Sequence, residues 1–377
     1  MRIISASDSF KGSLTSNQIA DIISHSAKNV SEDIEVIACP IADGGEGTLD
    51  AVLLSGDFDE LELTVKNPLF EPINARYAIK GKVAFVEMAQ ASGLTLIPYK
   101  DGNAELTTTY GTGQIIADAV KRGAEQIYVA VGGSATNDGG IGALAALGVR
   151  FLDENGAELE PIGKNLINIE KIDTDNFSLP SETRLTVLAD VDNPLVGERG
   201  ATRVYGRQKG AVGETADILE NGMIHYADVV ERELGIRLHD KPFSGAAGGL
   251  SGGLMAFAGA AVASGIESVL RLTGFEEKLK NADAVVTGEG RLDSQSLCGK
   301  AISGVCAPAK RLGVPVYAIV GSTELSQADL SAFGIKRVET LIADSESFED
   351  AINNAPFHME RVAKRMIELI YKSGDVL

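Results

Sequence analysis

Five short segments combine glycine with charged or hydroxyl side chains in the way that phosphate and divalent-cation chemistry requires. Asp8-Ser9-Phe10-Lys11-Gly12-Ser13 offers a cation, Lys11, which could neutralise a carboxylate or a transferring phosphoryl group. Asp43-Gly44-Gly45-Glu46-Gly47-Thr48 sets two carboxylates in a very flexible backbone. Gly132-Gly133-Ser134-Ala135-Thr136-Asn137-Asp138-Gly139-Gly140 is the most nucleotide-like, because its glycines let backbone amides approach phosphate oxygens. Ala189-Asp190-Val191-Asp192-Asn193-Pro194 supplies two carboxylates and an amide that suit Mg²⁺ or a hydroxyl group. Thr287-Gly288-Glu289-Gly290-Arg291-Leu292-Asp293, running on to Gly299-Lys300, mixes acid, base and glycine, with Arg291 and Lys300 suited to phosphate. Each has a plainer reading as well: a solvated lysine, a tight turn with an acidic helix cap, an Asx-turn before proline, an internal Glu–Arg pair.

Other patterns carry less. Gly140-x-Gly142-x-x-Ala145 fits a relaxed dinucleotide fingerprint but lacks a clear acidic ribose partner. Gly299-Lys300 is not a Walker A sequence, since Ala301 and Ser294 stand where Ser/Thr and Gly belong. His25, His225, His239 and His358 lack metal-ligand spacing. Cys298, near Arg291 and Lys300, reads as a small buried residue before it reads as an activated thiol.

Such loops work only if strands and helices hold them at one sheet edge. Apolar runs at Ile3–Ala6, Glu35–Cys39 and Ala284–Val286 each lead into a glycine-bearing loop and then into helix-like periodicity. Thr15 and Gln18 form a capping box for a helix over 16–28, with Ile19, Ile22 and Ile23 as its buried stripe. Val314–Val320 reads as a strand buried on both faces. Residues 73–79 and 83–86 alternate like an antiparallel hairpin, while 127–131 and 185–189 are buried-type strands. The expected fold is α/β: a discontinuous Rossmann-like parallel domain from 1–64 and 285–377, with a mixed α/β domain, 65–284, inserted.

The 377 residues carry 34 Lys+Arg against 53 Asp+Glu, a net charge of −19, which argues against broad contact with nucleic acid or anionic membrane. Three cysteines without a Cys-x-x-Cys pair, and no signal-like apolar start, point to a reducing, cytoplasmic setting. The uncharged stretch 243–266 is long enough to span a bilayer, but its Gly, Ala and Ser content suits a packed glycine loop and buried helix better.

Taken in order, the five loops together with Gln208-Lys209-Gly210-Ala211 and Ala246-Ala247-Gly248-Gly249 resemble the type-1 glycerate kinases along essentially the whole chain. Ser5-Ala6-Ser7 and Phe243-Ser244 depart from that family's pattern without removing a charged group. The resemblance implies ATP-dependent phosphorylation of D-glycerate, at the 2-hydroxyl ahead of the 3-hydroxyl, in two α/β domains with the active site in the cleft between them. It implies D-glycerate and Mg-ATP as small-molecule partners, no nucleic acid and no membrane, and leaves a homo-oligomer open. On that basis Gly132, Gly133, Ser134, Thr136, Asn137, Asp138, Gly248 and Gly249 are expected to hold the nucleotide, and Asp190, Asp192 or Asp43 the Mg²⁺. Ser9, Lys11, Asp43, Glu46, Glu289 and Arg291 are expected around glycerate, with Lys11 and Arg291 clamping its carboxylate. Asp190 is the first expectation for the group that takes the hydroxyl proton, and Asp293 the second.

Two other classes compete. Leu185–Ala189 followed by Asp190-Val191-Asp192 is similar to the opening of haloacid-dehalogenase-like phosphatases, although Pro194 stands where Thr or Val belongs. A non-catalytic protein that binds a small acid or a nucleotide would also suit two α/β domains.

Overall fold

The computed structural model describes residues 1–55, 57–100, 103–293 and 301–374. The chain forms two compact units, the first from Met1–Asp43, Asp50–Asp57 and Gly265–Leu377, the second from Gly44–Leu49 and Phe58–Ser264. β1 (Arg2–Ser7) and β2 (Glu35–Ala38) open the first unit. The chain then builds β3 (Asp59–Lys66), β4 (Pro72–Lys80), β5 (Val83–Glu87), β6 (Gln126–Ala130), β7 (Arg150–Leu152), β8 (Lys171–Asp173), β9 (Arg184–Leu188) and β10 (Ala261–Ala263) in the second. It returns to the first unit for β11 (Ala284–Gly288), β12 (Arg291–Leu292), β13 (Val316–Val320), β14 (Ser322–Thr323) and β15 (Ile335–Thr340).

The first unit's main sheet is wholly parallel, in the order β15-β13-β11-β1-β2. Its direction of winding reverses between β1 and β11, the flavodoxin-like form of a doubly wound sheet, and ligands of such sheets bind beyond the strand ends at that switch point. Alternate residues of each strand enter opposite layers, as a two-residue period dictates. Ile3, Val286, Tyr317 and Ile319 pack on helices Ser16–Val30 and Ala355–Gly374. Ile4, Val285, Val316 and Val320 face helix Ala301–Leu312 together with Ile266 and Phe275. Both faces being covered explains the unbroken apolar run in β13.

Helix Ser16–Val30 begins with the expected box: the Gln18 amide N–H donates to Thr15 Oγ1 (3.1 Å) while the Thr15 amide N–H donates to Gln18 Oε1 (2.9 Å). Thr15→Ala is expected to cost about 1 kcal/mol, read as a lower urea midpoint with an unchanged m value.

The second unit carries a mixed sheet, β10-β9-β6-β5-β4-β3, parallel from β10 to β5 and antiparallel through β4 and β3. Ile127, Val129, Leu185 and Val187 meet Ile115 and Ile116 of helix Tyr110–Lys121 and Leu250 and Leu254 of helix Leu250–Ala258 in one core. The stretch 243–266 thus folds as a glycine-rich turn, Ala246–Gly249, and a short packed helix. No helix among the described residues is long and apolar enough to cross a membrane.

The boundaries near 65 and 284 need correction. β3 pairs with β4 from Asp59 onward, so residues 59–64 lie in the second unit. Ile266, Leu270, Phe275 and Leu279 are buried in the first unit's core, so that unit resumes at Gly265. Residues 44–49 are a further brief excursion into the second unit.

Candidate active site

At the β1–β11 switch point of the first unit, three carboxylates gather. Asp8 follows β1 directly, its amide N–H donating to the Gly288 carbonyl (2.9 Å) at the end of β11. Burial, and then the nearby charges of Asp43 and Glu289, push the Asp8 carboxyl up from 3.8 to about 7, against the Ser9 amide and the Lys11 ammonium, which favour its ionised form. The Ser9 amide N–H donates to Asp8 Oδ1 at 2.6 Å. Lys11 is exposed at the tip of a tight turn, with Gly12 at φ +84° and the Ser13 N–H bonded back to the Phe10 carbonyl at 2.8 Å. Buried Phe10 and Leu14 anchor the turn on either side.

The loop after β11 wedges between its neighbours. A Cβ on Gly288 would come within 1.9 Å of the Ile319 carbonyl, so only glycine fits there. The Gly321 N–H donates to the Glu289 carbonyl and the Ser322 N–H to that of Gly290, tying the loop to the end of β13. Arg291 is exposed, with Nη2 bonded to Glu324 Oε1 at 2.8 Å and Nε 4.0 Å from Asp293 Oδ2. Surface pairs of this kind are worth little, so a ligand anion could replace either partner.

In the second unit, Glu87 at the end of β5 is fully buried and accepts from the amides of Gly47 (3.2 Å, Oε1) and Leu49 (2.8 Å, Oε2). That clamp fixes the acidic loop and leaves Glu46 exposed. A Cβ on Gly132 would fall 2.4 Å from Gly45 Cα, so the two glycine loops touch through their backbones.

The segment Gly132–Gly140 is mostly internal. Gly133 is exposed at φ +72°, whereas Ser134, Thr136, Asn137 and Asp138 are buried. Asp138 accepts from the Thr109 amide (2.8 Å), Thr109 Oγ1 (2.8 Å) and the amides of Gly140 (3.1 Å) and Gly142 (3.2 Å), while burial pushes its pKa upward. Its carboxylate therefore shapes the loop from within. Asn137 donates to Thr202 Oγ1 (3.0 Å), and Asn137 Oδ1 and Thr136 Oγ1 have no hydrogen-bond partner among the described residues. The fingerprint glycine Gly142 serves packing, because a Cβ there would come within 2.2 Å of Thr108 Oγ1. Gly248 and Gly249, both at positive φ, lie against this segment, with the Gly139 N–H donating to the Gly248 carbonyl at 2.9 Å. Ala247 shares the left-handed conformation at φ +55°, a strained choice for a residue with a Cβ.

Asp190 and Asp192 follow β9 with exposed side chains, and Asp192 pairs with Arg199 at 2.7 Å. Among the described residues no three of His, Cys, Asp and Glu gather into a group that could hold a metal ion. Cys298, Gly299 and Lys300 lie outside the described residues.

Two residues emerge from the structure without a role in the sequence pattern. Asp8 reads there only as the first residue of a loop, yet its place directly after the first strand was a usable signal. Lys209 lies within Gln208-Lys209-Gly210-Ala211 and is buried, with Nζ bonded to Ser134 Oγ and the Thr136 carbonyl, each at 2.7 Å. Only the left-handed Gly210 that follows it hints at an inward turn.

Comparison with known proteins places this arrangement. The glycerate kinase family model matches residues 3–371. The chain is 42% identical over 370 residues to a glycerate kinase of Halalkalibacterium halodurans, covering 97% of each chain. It is 38% identical over 369 residues to the glycerate 2-kinase of Escherichia coli, again covering 97% of each. A crystal structure from Salmonella typhimurium, described as a candidate glycerate kinase 2, matches with a TM-score of 0.86 at 36% identity over the full length of both chains. The α/β fold, the strand-end cluster and these full-length matches agree: the chain belongs to the glycerate kinase family.

Proposed function

We propose that this kinase transfers the γ-phosphoryl group of ATP to the 2-hydroxyl of D-glycerate, releasing 2-phosphoglycerate and ADP. The observation that carries the reading is Asp8, a strand-end carboxyl held near pKa 7 between Asp43 and Glu289. A general base works best when its pKa lies near the working pH. As the hydroxyl oxygen bonds to the γ-phosphorus and the bond to the ADP oxygen breaks, Asp8 takes the hydroxyl proton. Asp190, exposed at the end of β9, is the alternative acceptor, and comparing Asp8→Asn with Asp190→Asn separates the two.

A Mg²⁺ bound with the nucleotide would neutralise phosphate charge and would need only one or two protein carboxylates. Asp43, close enough to act on Asp8, is the carboxylate proposed to touch it. Lys11 and Arg291 clamp the glycerate carboxylate, with Ser9 and Glu289 around it. The exposed Gly133 and its supporting glycine segments receive the nucleotide. Kinase homology favours this over passive binding, and a passive anion site needs no carboxyl tuned to neutrality.

Lys11→Met is expected to raise KM for D-glycerate about 10- to 100-fold, the worth of one charge-assisted bond, with KM for Mg-ATP within about twofold. Steady-state kinetics with each substrate varied in turn checks it. The reading itself is tested by ADP release in a coupled assay: it must depend on D-glycerate, and ADP release indifferent to glycerate would contradict it.

A further inference from the structure

The segment after the Asp190–Pro194 loop gives the Gly132–Gly140 segment two side chains. Thr202, on the short helix Ala201–Tyr205, accepts from Asn137 Nδ2 at 3.0 Å. Lys209 ends the turn Arg207–Lys209 and reaches Ser134 Oγ and the Thr136 carbonyl, both at 2.7 Å. The turn is forced inward by Gly210, at φ +91°, whose backbone lies so close to the Lys100 carbonyl that a Cβ would stand 2.3 Å from it. Three hydrogen bonds thus hold residues 134, 136 and 137 from one side, and Asp138 holds the other side through Thr109, Gly140 and Gly142.

A surface lysine would be poorly suited to this task, and a buried one costs free energy that its position must repay. Burial drives the Lys209 ammonium down to about 7, with the Asp138 charge opposing that fall. Lys209 is 3% exposed, so it does not itself reach a ligand. What it controls is the backbone path from Gly133, the exposed residue of the segment, to Gly139.

Resting on the nucleotide reading of this segment, we infer that Lys209 is a positioning residue for the nucleotide, acting through Ser134 and Thr136 to fix the Gly133 backbone that the phosphates meet. A purely architectural lysine would lower stability and leave substrate constants alone. A positioning lysine shifts the nucleotide constants and spares those of glycerate.

The test measures Mg-ADP affinity by calorimetry and KM for both substrates in Lys209→Met and Ser134→Ala, alongside Gly133→Val as a direct change to the loop. The expected result is a loss of Mg-ADP affinity of about 10- to 100-fold in Lys209→Met, the scale of a misplaced site, with KM for D-glycerate within about twofold. Ser134→Ala, which keeps the Lys209 bond to the Thr136 carbonyl, should show a smaller loss in the same constant, and it carries the test if Lys209→Met does not fold. Unchanged Mg-ADP affinity in Lys209→Met and Ser134→Ala, with a loss in Gly133→Val, would overturn the role of Lys209 and leave the nucleotide reading standing. Unchanged affinity in Gly133→Val as well would remove the nucleotide reading and the inference together.

Discussion

Asp8→Asn should reduce turnover by about 10²- to 10⁴-fold, the range for loss of a general base, while making the protein more stable at pH 8. Both effects come from one arrangement. The carboxyl is half-buried and lies near the charges of Asp43 and Glu289, so its ionised form is disfavoured and its pKa stands at about 7 in place of 3.8. The folded state therefore holds this proton more tightly than the unfolded chain does. Between those two values the folded protein binds more protons, and its stability falls as pH rises. Asparagine carries no charge at any pH, so the variant escapes that loss. Its advantage should be on the order of 1–3 kcal/mol above pH 7 and vanish below about pH 4, where wild-type Asp8 is protonated in both states. In the wild type, kcat/KM measured with both substrates subsaturating, which reports the ligand-free enzyme, should climb with pH through about 7 as the base ionises. Melting curves and kinetics at pH 5 and pH 8 check both halves. An Asp8→Asn enzyme with a tenth or more of wild-type turnover, or one less stable at pH 8, would remove the assignment.

The second large effect concerns Asp138, and it is structural. Asp138→Ala should cost about 3–5 kcal/mol, because it strands buried donors that had an ionised or hydrogen-bonded partner. The stranded groups are the amides of Thr109, Gly140 and Gly142 and the Thr109 hydroxyl, and Lys209 loses the nearby negative charge as well. Hydrogen exchange at Gly140 and Gly142 should accelerate along with the loss of chemical stability. Wild-type exchange at those amides in Asp138→Ala would show that the carboxylate does not organise the loop.

Much of the framework was legible in the chain itself. The capping box at Thr15 and Gln18, the hairpin of β4 and β5, and the doubly buried run of β13 each follow from local chemistry that the packing does not override. The loops that bear the candidate residues were legible too, since glycine beside Asp, Glu or Lys at a strand end is a local pattern. What stayed hidden depends on residues far apart in sequence. Asp8 acquires its shifted carboxyl only when the fold desolvates it and brings Asp43, 35 positions away, and Glu289, 281 positions away, near it. Ser134, Thr136, Asn137 and Asp138 look like ligand-facing polar groups in one dimension, and burial turns them into internal supports. Lys209 could not be told from a surface lysine until the turn before Gly210 carried it inside. The crossing at Gly265 was missed for a related reason: Ile266 reads as the end of the uncharged stretch 243–266, and only packing assigns it, with Leu270, to the first unit's core.

The most direct test of the central claim is phosphorus NMR of the reaction of the purified protein with Mg-ATP and D-glycerate, read against standards of both phosphoglycerates. A growing 2-phosphoglycerate resonance, matched by ADP and absent without glycerate, is the expected result. A 3-phosphoglycerate resonance would keep the kinase and reverse the choice of hydroxyl, and inorganic phosphate as the sole new signal beside ADP would contradict phosphoryl transfer to glycerate.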